Sequence, residues 1–230
     1  MRAYLLTGSQ TVGPFFSPAL LREDACRNVL TQPETVGERI RIEGHVFDGD
    51  GLPVPDAMVE IWQANAHGRY NHAADEGPAS LDPSFTGFGR SGTGDDGSYW
   101  FETIKPGPVP FDAQRSTDGD LTPALPAGIA CGQGEQEGSR RGVTTFQQAP
   151  TSVQAPHICV TVFARGLLNH LVTRLYFADE PANAEDVVLQ CVPSERRATL
   201  LARRKHGGAI VVYHFDIILQ GAGETVFFNL

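Results

Sequence analysis

The densest concentration of groups able to do chemistry is the run Trp62-Gln63-Ala64-Asn65-Ala66-His67-Gly68-Arg69-Tyr70-Asn71-His72, which puts imidazole, phenol and guanidinium into one loop. It follows directly on an alternating apolar run, and loops carried on a rigid β-scaffold are where binding and catalytic groups collect. On composition alone the same residues also read as an ordinary exposed polar loop. A second candidate pair is His157 and Cys159, either side of Ile158. Side chains two apart on a strand share a face, so both could reach one metal ion. The alternative is a buried histidine beside a packed thiol. The four cysteines, Cys26, Cys131, Cys159 and Cys191, are spaced too widely for a Cys-x-x-Cys redox or zinc motif. They are expected to be reduced and mostly buried.

Such groups need rigid elements behind them. The chain has 230 residues, 41% of them hydrophobic, enough for one compact core. With 25 Gly, 16 Pro and few helical periodicities, it predicts short strands and turns. Ile40, Ile42, Gly44 and Val46 alternate with Arg39, Arg41, Glu43 and His45, the period of a half-buried strand. Asp48-Gly49-Asp50-Gly51 supplies a turn. A strand follows at 57–63, with Val59 and Ile61 on one face and Met58, Glu60 and Trp62 on the other. Further strands are expected at 98–103, 155–164, 169–177, 209–219 and 224–228, with one short late helix at 193–204. Together these predict an all-β fold, an antiparallel β-sandwich with long loops.

Residues 1–37, with Pro14, Pro18, Pro33 and Gly37, read as an N-terminal arm carrying one helical turn around 20–28. Its Val12, Phe15 and Phe16 favour packing on a surface over fraying. The sandwich then spans 38–230 and contains an insertion at 112–153. That stretch is rich in Gly, Gln, Ser, Thr and Pro and holds a single aromatic, Phe146. It has too little apolar area to offset its ordering entropy and is expected to be flexible. Lys+Arg 18 against Asp+Glu 27 gives a net charge of -9, which disfavours a nucleic-acid partner. No run approaches 18 apolar residues and the first residues lack a leader pattern, so a cytoplasmic chain with no membrane partner is expected.

The strings GHVFDGDGLPVPDAMVEIWQANAHGRYNH, LDPSFTGFGRSGT, DDGSYWFETIKPGPVPF and APHICVTVFARG, in that order, resemble the intradiol ring-cleavage dioxygenases. The resemblance runs from about Thr7 to the end of the chain, apart from the insertion. It implies a β-sandwich and a ferric ion held by two tyrosinates and two histidines. Phenolate, a hard anionic donor, suits Fe(III). Carried onto this chain, the first tyrosine position is Tyr70 and the second, after Lys105-Pro106-Gly107-Pro108, is Val109. The first histidine position is His157 and the second is Cys159; the arginine expected three residues before the first histidine is Gln154. Valine has no donor atom and a thiolate is too soft to copy imidazole on ferric iron. The resemblance therefore implies vestigial positions at Tyr70, Val109, His157 and Cys159, and no metal bound by this chain.

That pattern is similar to the iron-free α chains found in the family's hetero-oligomers, as are Ser9-Gln10-Thr11-Val12-Gly13-Pro14-Phe15, Phe163-Ala164-Arg165-Gly166 and the closing QGAGETVFF. The resemblance then implies that Fe(III) belongs to a homologous β chain. This chain would contribute Thr11, Gly13 and Pro14 to the β chain's pocket, together with Arg165 near a substrate carboxylate. The implied reaction opens 3,4-dihydroxybenzoate (protocatechuate) with O2 between its hydroxyls, giving 3-carboxy-cis,cis-muconate. Two other readings stand beside it: an independent dioxygenase acting on catechol or hydroxyquinol through Tyr70, His157 and Cys159, and a sandwich that binds without catalysing.

Overall fold

The alternation at 39–46 is realised as strand β1 (Arg39–Phe47), with Ile40, Ile42, Gly44 and Val46 buried and the intervening residues turned toward solvent. The computed structural model describes residues 13, 16–111, 152–205, 208 and 210–228. Before β1 lies a one-turn helix α1 (Phe16–Leu20). After it come β2 (Met58–Trp62), β3 (Phe88–Gly92), β4 (Ser98–Ile104) and the short β5 (Val109–Phe111). The chain resumes with β6 (Ser152–Gln154), β7 (His157–Phe163) and β8 (Leu171–Phe177). Helix α2 (Val187–Cys191) precedes β9 (Leu201–Lys205), β10 (Val211–His214) and β11 (Ile217–Ile218).

One half of the main sheet runs β3-β2-β7-β8, all antiparallel. The other half is β4-β1-β10, with β11 on β1, and β9 joins the halves by pairing β8 on one side and β10 on the other. A single apolar core contains Ile40, Ile42, Tyr99 and Phe101 from one half and Val59, Ile61, Val160, Val162, Leu175 and Phe177 from the other. The halves therefore face each other as a sandwich, each large side chain contributing roughly 1.5–3 kcal/mol on burial. The helical turn expected around 20–28 lies at 16–20, Phe16 is buried, and Val12 and Phe15 lie outside the described residues. Leu30 enters the core, and single bridges join Arg27 to Arg90 and Val29 to Glu102.

The sandwich is not purely antiparallel, because β1 pairs β10 and β11 in parallel and β8 pairs β9 in parallel. The strand expected at 209–219 is divided at Phe215-Asp216 while its register on β1 persists, Glu43 opposite His214 and Val46 opposite Ile217. The cause is a close approach: a Cβ on Gly44 would lie 1.8 Å from the Phe215 carbonyl oxygen, which Tyr99 Oη holds at 2.6 Å. The strand expected at 224–228 is reduced to one bridge, Phe228 to Val172. Of the late helix expected at 193–204, a single 3-10 turn forms at Arg197–Leu200, and the α-helical turn lies before it at 187–191. Pro193 bars its continuation, and 201–205 is drawn into the sheet as β9. Residues 152–153 belong to β6; the rest of the insertion, 112–151, lies outside the described residues. Among the described residues no helix is long and apolar enough to cross a membrane.

Helix α2 starts where it does because of Asp186, a fully buried carboxylate. It accepts from the Val188 and Leu189 amides at 3.0 and 2.8 Å, from the Ala155 amide at 2.8 Å and from the Tyr176 hydroxyl at 3.0 Å. One side chain thus caps a helix, anchors the entry to β7 and anchors β8. An ordinary cap is worth about 1 kcal/mol, whereas a buried charge with this many donors is worth about 3–5 kcal/mol when removed. Denaturant unfolding of Asp186→Ala is expected to show a loss in that higher range, and a loss of about 1 kcal/mol would reduce Asp186 to a simple cap.

Candidate functional site

The 62–72 loop doubles back at Gly68, whose φ is 78°. A Cβ there would meet the Pro108 carbonyl oxygen at 1.9 Å, so only glycine allows the two segments to touch. That contact lays Tyr70 against Val109 at the start of β5, in a small buried cluster with Ala64 and with Trp62 packed against it. The Trp62 and Tyr70 rings stack at 5.7 Å. Asn65 Oδ1 stiffens the loop by accepting the His67 and Arg69 amides at 2.9 and 3.1 Å. The Tyr70 amide donates to Asp75 at 2.8 Å. Tyr70 is only 4% exposed, so the loop is not the solvated polar loop that composition also allowed.

Sheet register gathers the remaining positions. Cys159 on β7 lies between Trp62 on β2 and Arg174 on β8, His157 lies opposite Tyr176, and Val109 on β5 lies opposite Gln154 on β6. Tyr70 Oη is 3.4 Å from His157 Nε2. His157 Nδ1 is 2.8 Å from the Ala155 carbonyl oxygen, which can only accept, so the proton sits on Nδ1 and Nε2 presents its lone pair to the phenol. The four positions expected from the sequence thus converge, with Gln154 beside them. His157 is buried, while Cys159 is half-buried, a departure from the buried thiols expected.

A cation stands among them. Arg174 is 4% exposed and donates from one terminal nitrogen to Gln154 Oε1 at 2.7 Å and to the Tyr176 hydroxyl at 3.4 Å. Tyr176 passes its own proton toward Asp186 at 3.0 Å. Burial opposes the guanidinium charge, yet Cys159 and Tyr176 hold its pKa above the usual arginine value, so it stays protonated. Burial, assisted by this charge, pulls His157 down to about 3. Burial also raises the Tyr70 phenol, with Cys159 adding to the effect and Arg174 opposing it. The site therefore holds a neutral imidazole, a protonated phenol and a fixed positive charge.

Ferric iron does not fit these residues. It needs anionic oxygen donors, but Val109 has no donor and Cys159 offers soft sulfur, which leaves Tyr70 as the one hard oxygen among the four positions. Two like unit charges about 5 Å apart repel by about 3 kcal/mol at an effective dielectric of about 20, and the ion would bring three beside a guanidinium already in place. A fixed positive charge thus stands beside the positions that the resemblance assigns to metal donors.

The remaining expected residues lie elsewhere. Arg165 sits in the turn after β7, about 20 Å along that strand from His157. Its side chain is 67% exposed and pairs with Asp56 at 2.7 Å. Gly13 is exposed and accepts from the Phe16 amide at 3.0 Å, while Thr11 and Pro14 lie outside the described residues. Neither Arg165 nor the Tyr70 cluster is built to serve the other. Sequence reasoning missed Arg174, Tyr176 and Asp186. A usable signal was present: Leu171–Phe177 reads LVTRLYF, and an arginine inside an apolar strand run must find internal partners.

Comparison with known proteins is consistent with this geometry. A family model described as "Dioxygenase" matches residues 11–128. The protocatechuate 3,4-dioxygenase alpha chain of Burkholderia cepacia is 39% identical over 97% of this chain and 97% of its own length. The beta chain of the same organism is 32% identical over 95% of this chain and 77% of its own. Among solved structures, the dioxygenase domain of a dioxygenase carbohydrate-binding protein fusion from Streptomyces sp. SirexAA-E superposes with a TM-score of 0.53 at 25% identity, covering 94% of this chain and 99% of that one.

The depressed His157 has a measurable consequence. Its folded pKa of about 3 lies below the 6.5 of an unfolded histidine, so between these values the unfolded chain binds a proton that the native chain refuses. Stability is therefore full above pH 6.5 and is lost as pH falls toward 3. From pH 7 to 5.5 this single group removes about 1 kcal/mol. His157→Asn keeps a donor for the Ala155 carbonyl, and its unfolding free energy is expected to be flatter by that amount over the same interval. An unchanged slope would mean that His157 takes up a proton in the native state.

Proposed function

Because the chain belongs to the intradiol dioxygenase family, we propose that it is the iron-free α subunit of a protocatechuate 3,4-dioxygenase, working on a β chain that carries the Fe(III). The complex opens 3,4-dihydroxybenzoate with O2 between its hydroxyls, giving 3-carboxy-cis,cis-muconate. The observation that carries the reading is Arg174, a buried guanidinium lodged where the family's metal donors converge. An independent catechol or hydroxyquinol dioxygenase would have to use Tyr70, His157 and Cys159 beside that charge, which speaks against it.

The helper role assigns the exposed residues to the partner's pocket. Protocatechuate is an anion, and its carboxylate needs a cation once water is excluded. Arg165 is suited to this: its pair with Asp56 is exposed on both sides, worth under about 1 kcal/mol, and easily exchanged for a substrate or a β-chain contact. Leu168, in the same turn, is 77% exposed, an apolar group beside the cation as at the rim of an interface. Thr11, Gly13 and Pro14 would wall the aromatic ring from the arm, and a Cβ placed on Gly13 would meet nothing within 4 Å among the described residues.

The test is co-expression with a β chain of the same fold whose Tyr, Tyr and His-x-His donors are intact. The isolated chain is expected to hold far less than one iron per chain, to lack the visible tyrosinate-to-iron band and to consume no O2 with protocatechuate. The co-purified complex is expected to show all three. In the complex, Arg165→Gln should raise KM for protocatechuate about tenfold or more while leaving iron content unchanged. Full oxygen uptake by the isolated chain would contradict the division of labour; an unaltered KM would remove Arg165 from the pocket.

A further inference from the structure

A second cluster of donor groups, sharing no residue with the Tyr70–Arg174 site, lies where β1 meets the ends of β10 and β11. His45 on β1, His214 at the end of β10 and Asp216 just beyond it present one donor atom each within 4.8 Å of one another. We propose that these three side chains form a site for a borderline divalent metal ion of the zinc class, tying the first core strand to the C-terminal strands.

The geometry is close to what such an ion demands. Tetrahedral donors at about 2.1 Å from a metal lie about 3.4 Å from one another. His45 Nδ1 is 3.4 Å from Asp216 Oδ1, and His214 Nε2 is 3.0 Å from Asp216 Oδ2. Two imidazoles and one carboxylate are borderline donors that prefer zinc, nickel or copper over calcium or magnesium. The side chains are 36%, 27% and 37% exposed, which leaves room for water to complete the coordination.

The arrangement exists before any ion arrives. Asp216 is fixed by the His45 amide, which donates to its Oδ1 at 2.9 Å across 171 residues of chain. That placement follows from the Gly44 and Phe215 backbones coming into contact, with Tyr99 pinning the Phe215 carbonyl. The donors thus sit on the best-paired part of the sheet, and little reorganisation opposes binding. Affinity should nonetheless be moderate. Among the described residues His214 Nδ1 is buried with no hydrogen-bond partner, so a metal on Nε2 would gain none of the outer support from them that strengthens histidine ligands. A Kd near the micromolar range is expected, not the nanomolar values of fully supported structural zinc.

The test is calorimetric titration of the chelator-treated full chain with Zn2+, paired with side-chain 15N NMR and thermal melts. One equivalent should bind, the resonances of His45 and His214 should shift together, and Zn2+ at a hundredfold its Kd should raise Tm by about 5 °C or more. His214→Gln and Asp216→Asn, each shown folded by circular dichroism, should weaken binding at least twentyfold. Cys26→Ser and Cys159→Ser should leave it unchanged. No saturable equivalent, binding that survives in a folded His214→Gln chain, an NMR response at other histidines, or loss in a cysteine variant would overturn the proposal.

Discussion

A buried guanidinium governs the chemistry of this chain. Arg174 is almost wholly removed from water, in the cleft to which sheet register brings His157 and Cys159 and the 62–72 loop brings Tyr70. Its charge cannot be shed by losing a proton, so the surroundings must accommodate it. They do so through a relay: Gln154 and Tyr176 accept from it, and Tyr176 connects it to the Asp186 carboxylate. The donors that remain are a poor set for a trivalent ion: one phenol, one imidazole and a soft thiol, with no donor at Val109 and a fixed positive charge beside them.

The same relay ties the cleft to the fold. Asp186 ends the chain of contacts that begins at Arg174, and it also starts helix α2 and secures the entry to β7. Removing the arginine would take the donor from Gln154 Oε1 and one contact from the Tyr176 hydroxyl, while Asp186 would keep its bonds from Ala155, Tyr176, Val188 and Leu189. The family resemblance leads one to expect an arginine at position 154; a glutamine stands there, on β6, and accepts a hydrogen bond from Arg174 on β8 of the main sheet.

Local sequence rules revealed much of this arrangement, and their failures have physical causes. Strands β1, β2, β4, β7 and β8 follow from alternation and β-branched content, because each has a clear inner and outer face. The short β3 and β5 did not announce themselves: Phe88–Gly92 reads FGRSG and Val109–Phe111 contains a proline, so only tertiary pairing makes them strands. The late helix is cut to a 3-10 turn at 197–200 because β9 is imposed by its neighbours β8 and β10, while Asp186 caps α2 upstream of it. At the site, motif order located Tyr70, Val109, His157 and Cys159, and the structure brings all four together. Arg174 was overlooked because its significance depends on cross-strand partners remote in sequence. Parallel pairing of β1 with β10 was likewise hidden, since alternation carries no information about strand direction.

Anomalous diffraction at the iron edge, from crystals of the αβ complex grown with ferrous iron under aerobic conditions, tests the central claim most directly. The account predicts one strong peak per αβ pair, in the β chain, and none between Tyr70 and His157, where the Arg174 guanidinium should be seen instead. A peak of comparable height ligated by Tyr70, His157 or Cys159, with Arg174 swung aside, would contradict it.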